Sequence, residues 1–386
     1  MSRAAQREET TVGRWPLLGQ YALHFATVGI LLPFLPAYLT SLSLSPTQIG
    51  MLLAIGPAMA IVAPQIFGHF ADQRGRPDHM LRVITLGAAV SFTPLAFVRG
   101  APALALVLVG YTFFSSSMTG VLDALALQRV ASKGESFARL RLFGSAGFVV
   151  SSVAFGLAVT EVDRRTILIP LALMLVGSLW SFTVRARTAS VGGRRPFAGL
   201  TLLARRDVAV LLACCALHWI ACAPYHGTFA IHVGALGLPP AVVGLGAGLG
   251  VLAEIAVMAL HPWAARRIEP RHVLAVAFAV SAVRWWGMSV ARSAEAIVAL
   301  CLLHGMTFGA FYVGAVGTLG SRVPATLRVS GQALFVSITF GVGGLIGYVS
   351  AGATYDALGG PGAFTAAAVL ELVAAGLILL GGREPS

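Results

Sequence analysis

Charge is scarce in this sequence. Only 11% of its 386 residues are Asp, Glu, Lys or Arg, while 57% are hydrophobic and the mean hydropathy is +0.83. Soluble domains average about 25% charged and roughly 45–50% apolar residues, so a water-soluble fold is excluded: nothing would cover that much apolar surface. Acids are scarcer than bases, 15 against 27, which leaves a formal net charge of +12. Nucleic-acid binding would need those bases on one face or tail, and here they are scattered through short loops. There is no paired CxxC: Cys214, Cys215, Cys222 and Cys301 all lie inside apolar runs, which reads as small buried hydrophobes, with neither disulfide nor metal implied. His226 and His232, six apart, fall on different helix faces and do not make a metal site. No GKS or GKT phosphate loop is present, and Gly244-Leu-Gly246-Ala-Gly248-Leu-Gly250 has its third glycine out of step and no strand before it. ATP-driven transport is therefore unsupported, and no cofactor is expected. A membrane enzyme should carry clustered His, Asp or Glu in a loop at the membrane face, and no loop does.

What the sequence has in abundance is long apolar runs. A helix needs about 20 residues to cross roughly 30 Å of hydrocarbon, and twelve segments qualify: 16–39, 47–70, 79–98, 102–127, 140–159, 166–184, 208–233, 241–262, 272–290, 294–319, 329–354 and 362–380. The first is too long for a signal-peptide core, and continuous runs exclude the alternating pattern of a transmembrane barrel. With the N-terminus placed inside, 22 Lys and Arg fall on cytoplasmic segments and only Arg99, Arg164, Arg165 and Arg292 on outer loops, as the positive-inside rule requires. The expectation is an all-α membrane protein of 12 transmembrane helices in the cell's inner membrane, with both termini cytoplasmic. Its layout is a tail at 1–15, a six-helix bundle at 16–184, a cytoplasmic linker at 185–207, a second six-helix bundle at 208–381 and a tail at 382–386. A faint repeat supports two pseudo-symmetric halves: Pro46, Gly50 and Gly56 recur 194 residues later as Pro240, Gly244 and Gly250.

Gly68-His-Phe-Ala-Asp72-Gln73-Arg74-Gly75-Arg76, between the second and third runs, resembles the loop signature of the major facilitator superfamily, departing from it at Gln73 and at Pro77. Asp123-Ala-Leu-Ala, Arg139-Leu-Arg141-Leu-Phe-Gly144-Ser145, Arg284-Trp285 and Gln332-Ala-Leu-Phe resemble the branch that holds phenylpropionate permeases and nucleoside/proton symporters, relatives of lactose permease. The resemblance implies the major facilitator fold and secondary transport by alternating access. One fold hosts many solutes, so an aromatic acid, a nucleoside or a sugar-like molecule all remain open, with proton symport expected and proton-coupled efflux as the alternative. A monomer that handles a small solute and protons in the bilayer, and no nucleic acid, is the expected working unit.

Ionisable residues within the spans mark the candidate site, because charge at bilayer depth costs several kcal/mol and is usually paired or functional. Asp123 and Arg141 face each other from neighbouring spans; in the sugar-transporting relatives an acid and an arginine so placed contact substrate, and otherwise the two form a structural ion pair. Glu254, Arg284 and His304 are expected to make a proton-coupling set, in which a change in the separation of Glu254 and Arg284 would load or release a proton, with His304 as a bridge between them. Asp72 with Arg74 or Arg76 would latch an inner gate or simply anchor the loop, with Gly68 and Gly75 shaping it. His24, Gln20, Tyr225, His226 and Gln332 are softer substrate-binding candidates, as are His218 and His232. Glu371, alone in the last run, has no role on sequence grounds.

Overall fold

The structure, a computed structural model, describes residues 12–163, 167–186, 198–264, 266–324 and 327–381. Among these residues every regular element is helical. The α-helices run in order as α1 (Arg14–Ser41), α2 (Pro46–Leu53), α3 (Ile55–Arg74), α4 (Pro77–Phe92), α5 (Ala101–Ser115), α6 (Met118–Lys133), α7 (Phe137–Ala158), α8 (Leu168–Ser181), α9 (Arg206–Gly227), α10 (Phe229–Ala235), α11 (Pro240–Ala264), α12 (Pro270–Val290), α13 (Ala294–Cys301), α14 (Phe311–Arg322), α15 (Arg328–Val336) and α16 (Gly343–Gly381). Ten helical stretches are long and apolar enough to cross a membrane, and Leu168–Ser181 is a shorter apolar helix. The last stretch, Ser330–Leu380, is 51 residues long, enough for two crossings. It turns at Gly359, whose φ of +66° admits glycine at no cost, followed by Pro361.

Several apolar runs are broken helices. The fourth run divides at Ser116–Ser117 into α5 and α6, and the seventh at Thr228 into α9 and α10, just after Pro224 removes a backbone donor. The tenth and eleventh contain π-helical turns at Gly305–Ala310 and Ser337–Val342. The carbonyl that Pro224 leaves without its helical donor is that of Ile220, four residues back; Pro224 O itself accepts both the Thr228 N–H at 2.9 Å and the Thr228 hydroxyl at 2.8 Å, which closes the helix end.

Two compact units emerge from the packing. The first comprises Met1–Leu32, Ala58–Ser152 and Asp163–Arg194; the second comprises Pro33–Pro57, Val153–Val162 and Arg195–Ser386. The unit boundary therefore crosses α1 and α7 rather than falling only in the linker. The first unit's core gathers Leu17, Tyr21, Leu81, Ile84, Leu122 and Leu125, and the second's gathers Leu211, Cys215, Phe278, Phe311 and Phe335. All four cysteines are free and no more than 2% exposed.

Inside the second unit α2 is held against α16. A Cβ on Gly352 would come 3.1 Å from Gly50 Cα, so only two glycines allow the backbones to meet there. At the same end Asp356 accepts the Thr47 N–H at 2.9 Å and the Thr47 hydroxyl, and Ser45 and Gln48 complete a reciprocal cap at the start of α2.

Candidate functional site

In the first unit, Asp123 on α6 accepts a 2.7 Å hydrogen bond from the Tyr21 hydroxyl and pairs with Arg141 Nε at 3.8 Å. The Arg141 guanidinium lies 4.0 Å from the Phe25 ring centre, so an aromatic face on α1 supports the charge. Both members of the pair are about one third exposed, wet enough to be reached and weak as a structural tie. Beside it, Gln20, His24, Thr85, Tyr111, Ser115 and Met118 line a cavity of about 360 Å³. His24 Nε2 stands 3.2 Å from the Thr119 hydroxyl, and Gln20, 1% exposed, has a buried Oε1 with no hydrogen-bond partner.

The second unit gathers a denser set. Arg284 on α12 is fully buried, its guanidinium stacked 4.2 Å from the Tyr225 ring centre and 4.5 Å from that of Trp285. Arg284 Nη1 donates to His304 Nδ1 at 3.2 Å. That leaves a neutral His304 with its proton on Nε2, the nitrogen that lies 3.8 Å from Glu254 Oε2. Tyr225 on α9, Arg284 on α12, His304 just before the π turn at Gly305–Ala310 and Glu254 on α11 thus form one chain. Arg284 Nε and Nη2 have no hydrogen-bond partner among the described residues. Trp219, Tyr225, His226, His304 and Phe308 wall a small space of about 170 Å³ around this cation. The gaps that make up this space leave no room for a single water molecule, so these side chains must part before a solute enters. The π turn at Gly305–Ala310 presents Thr307 and Phe308 to that space, a placement common for π turns at functional sites.

The matching family model covers residues 14–366 and is described as the MFS_1 like family. This chain belongs to that family. The transporter is 30% identical, over 94% of its length and 96% of the relative's, to the probable 3-phenylpropionic acid transporter of Escherichia coli (strain K12). It is 23% identical to the putative nucleoside transporter YegT of the same organism, over 81% of this chain and 77% of that one. The crystal structure of the nucleoside transporter NupG superposes with a TM-score of 0.87 at 16% identity, covering 96% of this chain and 99% of that one. The fold is that of the major facilitators, and the homologues are transporters rather than enzymes.

The remaining residues singled out from sequence are dispersed. Gln332 on α15 is half-buried and is not among the residues lining either space. In the loop signature, Gly75 has φ +57°, a left-handed turn that suits glycine, and a Cβ on Gly68 would meet open space. The side chains of Asp72 and Arg74 lie outside the described part of the structure. Arg76 pairs with Asp78: its Nε and Nη2 donate to the two carboxylate oxygens at 3.0 and 3.2 Å. Asp78 also accepts from Arg82 at 3.3 Å, and it occupies the first turn of α4 right after Pro77, where an anion is favoured. The expected latch of Asp72 with Arg74 or Arg76 turns on the Asp72 side chain and so lies outside the described residues. Hydrogen bonding to Asp78 holds the Arg76 guanidinium above its usual range.

Sequence reading gave Glu371 no role. The structure buries it completely, with Oε2 2.8 Å from His218 Nδ1 and Oε1 accepting the Trp285 indole N–H at 3.1 Å. The one available signal was a lone acid in an apolar run, which by cost alone demands a partner.

Proposed function

We propose that this transporter moves a small aromatic carboxylate by alternating access, in symport with protons, across the inner membrane, as a monomer with both termini cytoplasmic. What carries the reading is the buried Arg284 guanidinium, stacked on two aromatic rings with two nitrogens lacking hydrogen-bond partners. A desolvated cation with no carboxylate in direct contact is costly, and a carboxylate that meets guanidinium nitrogens through paired hydrogen bonds offsets that cost. Trp219, Tyr225 and Phe308 around it offer apolar faces to an aromatic ring. The printed name of the Escherichia coli relative, a probable 3-phenylpropionic acid transporter, supports the same chemistry. His304, between Arg284 and Glu254, is the natural proton path, and Asp123 with Arg141 forms a separate polar centre within the first unit.

A thermal-shift panel on purified protein tests this. Aromatic acids, 3-phenylpropionate among them, should stabilise the protein, by about 2.7 kcal/mol when ligand stands at about 100 times its Kd, while nucleosides and sugars leave the melting temperature unmoved. Stabilisation by nucleosides or sugars without any by aromatic acids would reject the assignment.

A further inference from the structure

Behind the aromatic wall of the second unit sits a buried pair that the proposed pocket does not itself use. His218 on α9 and Glu371 on α16 are both 0% exposed. The His218 Nδ1 to Glu371 Oε2 distance of 2.8 Å is that of a hydrogen bond, assigned as a ring N–H donating to the carboxylate, whose other oxygen is held by Trp285. The second ring nitrogen is the informative one. His218 Nε2 faces two groups of opposite chemistry: the Thr307 carbonyl oxygen at 2.9 Å, which can only accept, and the Cys222 thiol at 3.6 Å, which can donate. With a proton on Nε2 the ring donates to Thr307 O. Without it the ring accepts from Cys222 S–H. The carbonyl at 2.9 Å favours the protonated ring, while a small turn of the unprotonated ring away from that oxygen and toward the thiol gives it a donor, a two-way arrangement that a purely structural ion pair does not need and a proton carrier does. Cys222, Trp285 and Thr307 are also the wall residues of the Arg284 space, so the pair stands one layer behind it.

We propose that His218 Nε2 is a proton-binding site whose occupancy is tied, through Arg284, to an anionic solute in the adjoining pocket. This rests on Arg284 as the carboxylate-binding group. The tie is charge balance in a medium of low dielectric, where uncompensated charge is expensive. With neutral His218, the Glu371 carboxylate and the Arg284 cation cancel. A solute carboxylate adds one negative charge, and one proton taken by Nε2 from water in the opened pocket restores neutrality: an N–H bond forms, an O–H bond of hydronium breaks, and nothing else changes. Solute and proton then leave together. The other groups facing the pair are Cys222 on its own helix and Arg284 and Trp285 on α12. His226 and His304 stand within electrostatic range, and Glu254 is reached through His304.

Calorimetric titration of the purified full-length protein with 3-phenylpropionate, repeated in buffers of different ionisation enthalpy, counts protons taken up per ligand. The expected count is about one for the native protein, falling to about zero for His218→Asn. Cys222→Ala removes the donor that serves the unprotonated ring, so it should retain binding and shift the midpoint of proton uptake to higher pH; it also keeps the test alive should His218→Asn not fold. Binding without proton uptake, a count of one that survives His218→Asn, or a midpoint unmoved in Cys222→Ala overturns the inference while leaving the Arg284 reading standing. Absence of any binding by the native protein sinks both.

Discussion

Asp123 with Arg141 and Arg284 with His304 and Glu254 are both acid–base groupings set among apolar helices, and they are built in opposite ways. The first is a direct ion pair, about one third exposed, with a tyrosine hydroxyl and one aromatic face beside it. In the second a fully buried guanidinium is separated from its acid by a histidine and rests on two rings. A half-wet pair contributes roughly 0.2–1 kcal/mol; a desolvated charge with nitrogens to spare has several kcal/mol to gain from a ligand. On the function proposed above, the two units divide their labour: one offers an accessible polar foothold, the other a strong but closed anion site.

The largest expected effect follows from the closed site. Arg284→Ala removes charge-assisted hydrogen bonds of about 1.5–3 kcal/mol, so affinity for an aromatic acid should fall by roughly 10- to 150-fold in calorimetric titration. A change below threefold would erase the contrast between the halves. Glu254→Gln comes next: uphill accumulation in proteoliposomes should disappear while counterflow exchange continues, and loss of both, or of neither, would remove Glu254 from coupling. Arg141→Ala should weaken apparent affinity by less than about tenfold, consistent with an exposed pair; no change at all would make the Asp123–Arg141 pair a helix tie only. The smallest effect belongs to the loop before α7, where the Arg129 hydrogen bond, aided by Arg14, holds the Glu135 carboxyl below its usual range. A depressed carboxylate stabilises the fold above its unfolded value, and that contribution is lost as pH falls through the folded one. Melting curves of the native protein and Glu135→Gln should therefore differ at neutral pH and converge in acid; a gap that persists in acid would assign the difference to something other than this charge.

Much of the fold was legible in the sequence because the solvent leaves few options: an apolar run of sufficient length in hydrocarbon must satisfy its own backbone and becomes a helix. The breaks were harder. Ser116–Ser117 and Thr228 carry no strong local signal, and the π turns at Gly305–Ala310 and Ser337–Val342 reflect packing around a site rather than local preference. For the site, a short list of costly residues could be drawn up from the sequence, and the structure brings Arg284, His304 and Glu254 together as it does Asp123 and Arg141. Partnership at long range was not readable. Glu371 and His218 are 153 residues apart, and no spacing rule joins them. The Arg76–Asp78 pair escaped notice for the opposite reason: the two are only two residues apart, and the family signature draws attention to Asp72 instead.

The burial of every native thiol has a practical sequel. With Cys214, Cys215, Cys222 and Cys301 all sealed from water, a membrane-impermeant maleimide finds nothing to react with on the native chain. A single cysteine introduced at Arg99 or Arg139 would be the lone reactive group in an otherwise unaltered background, and which face of the vesicle labels it would read out the sidedness of each loop directly.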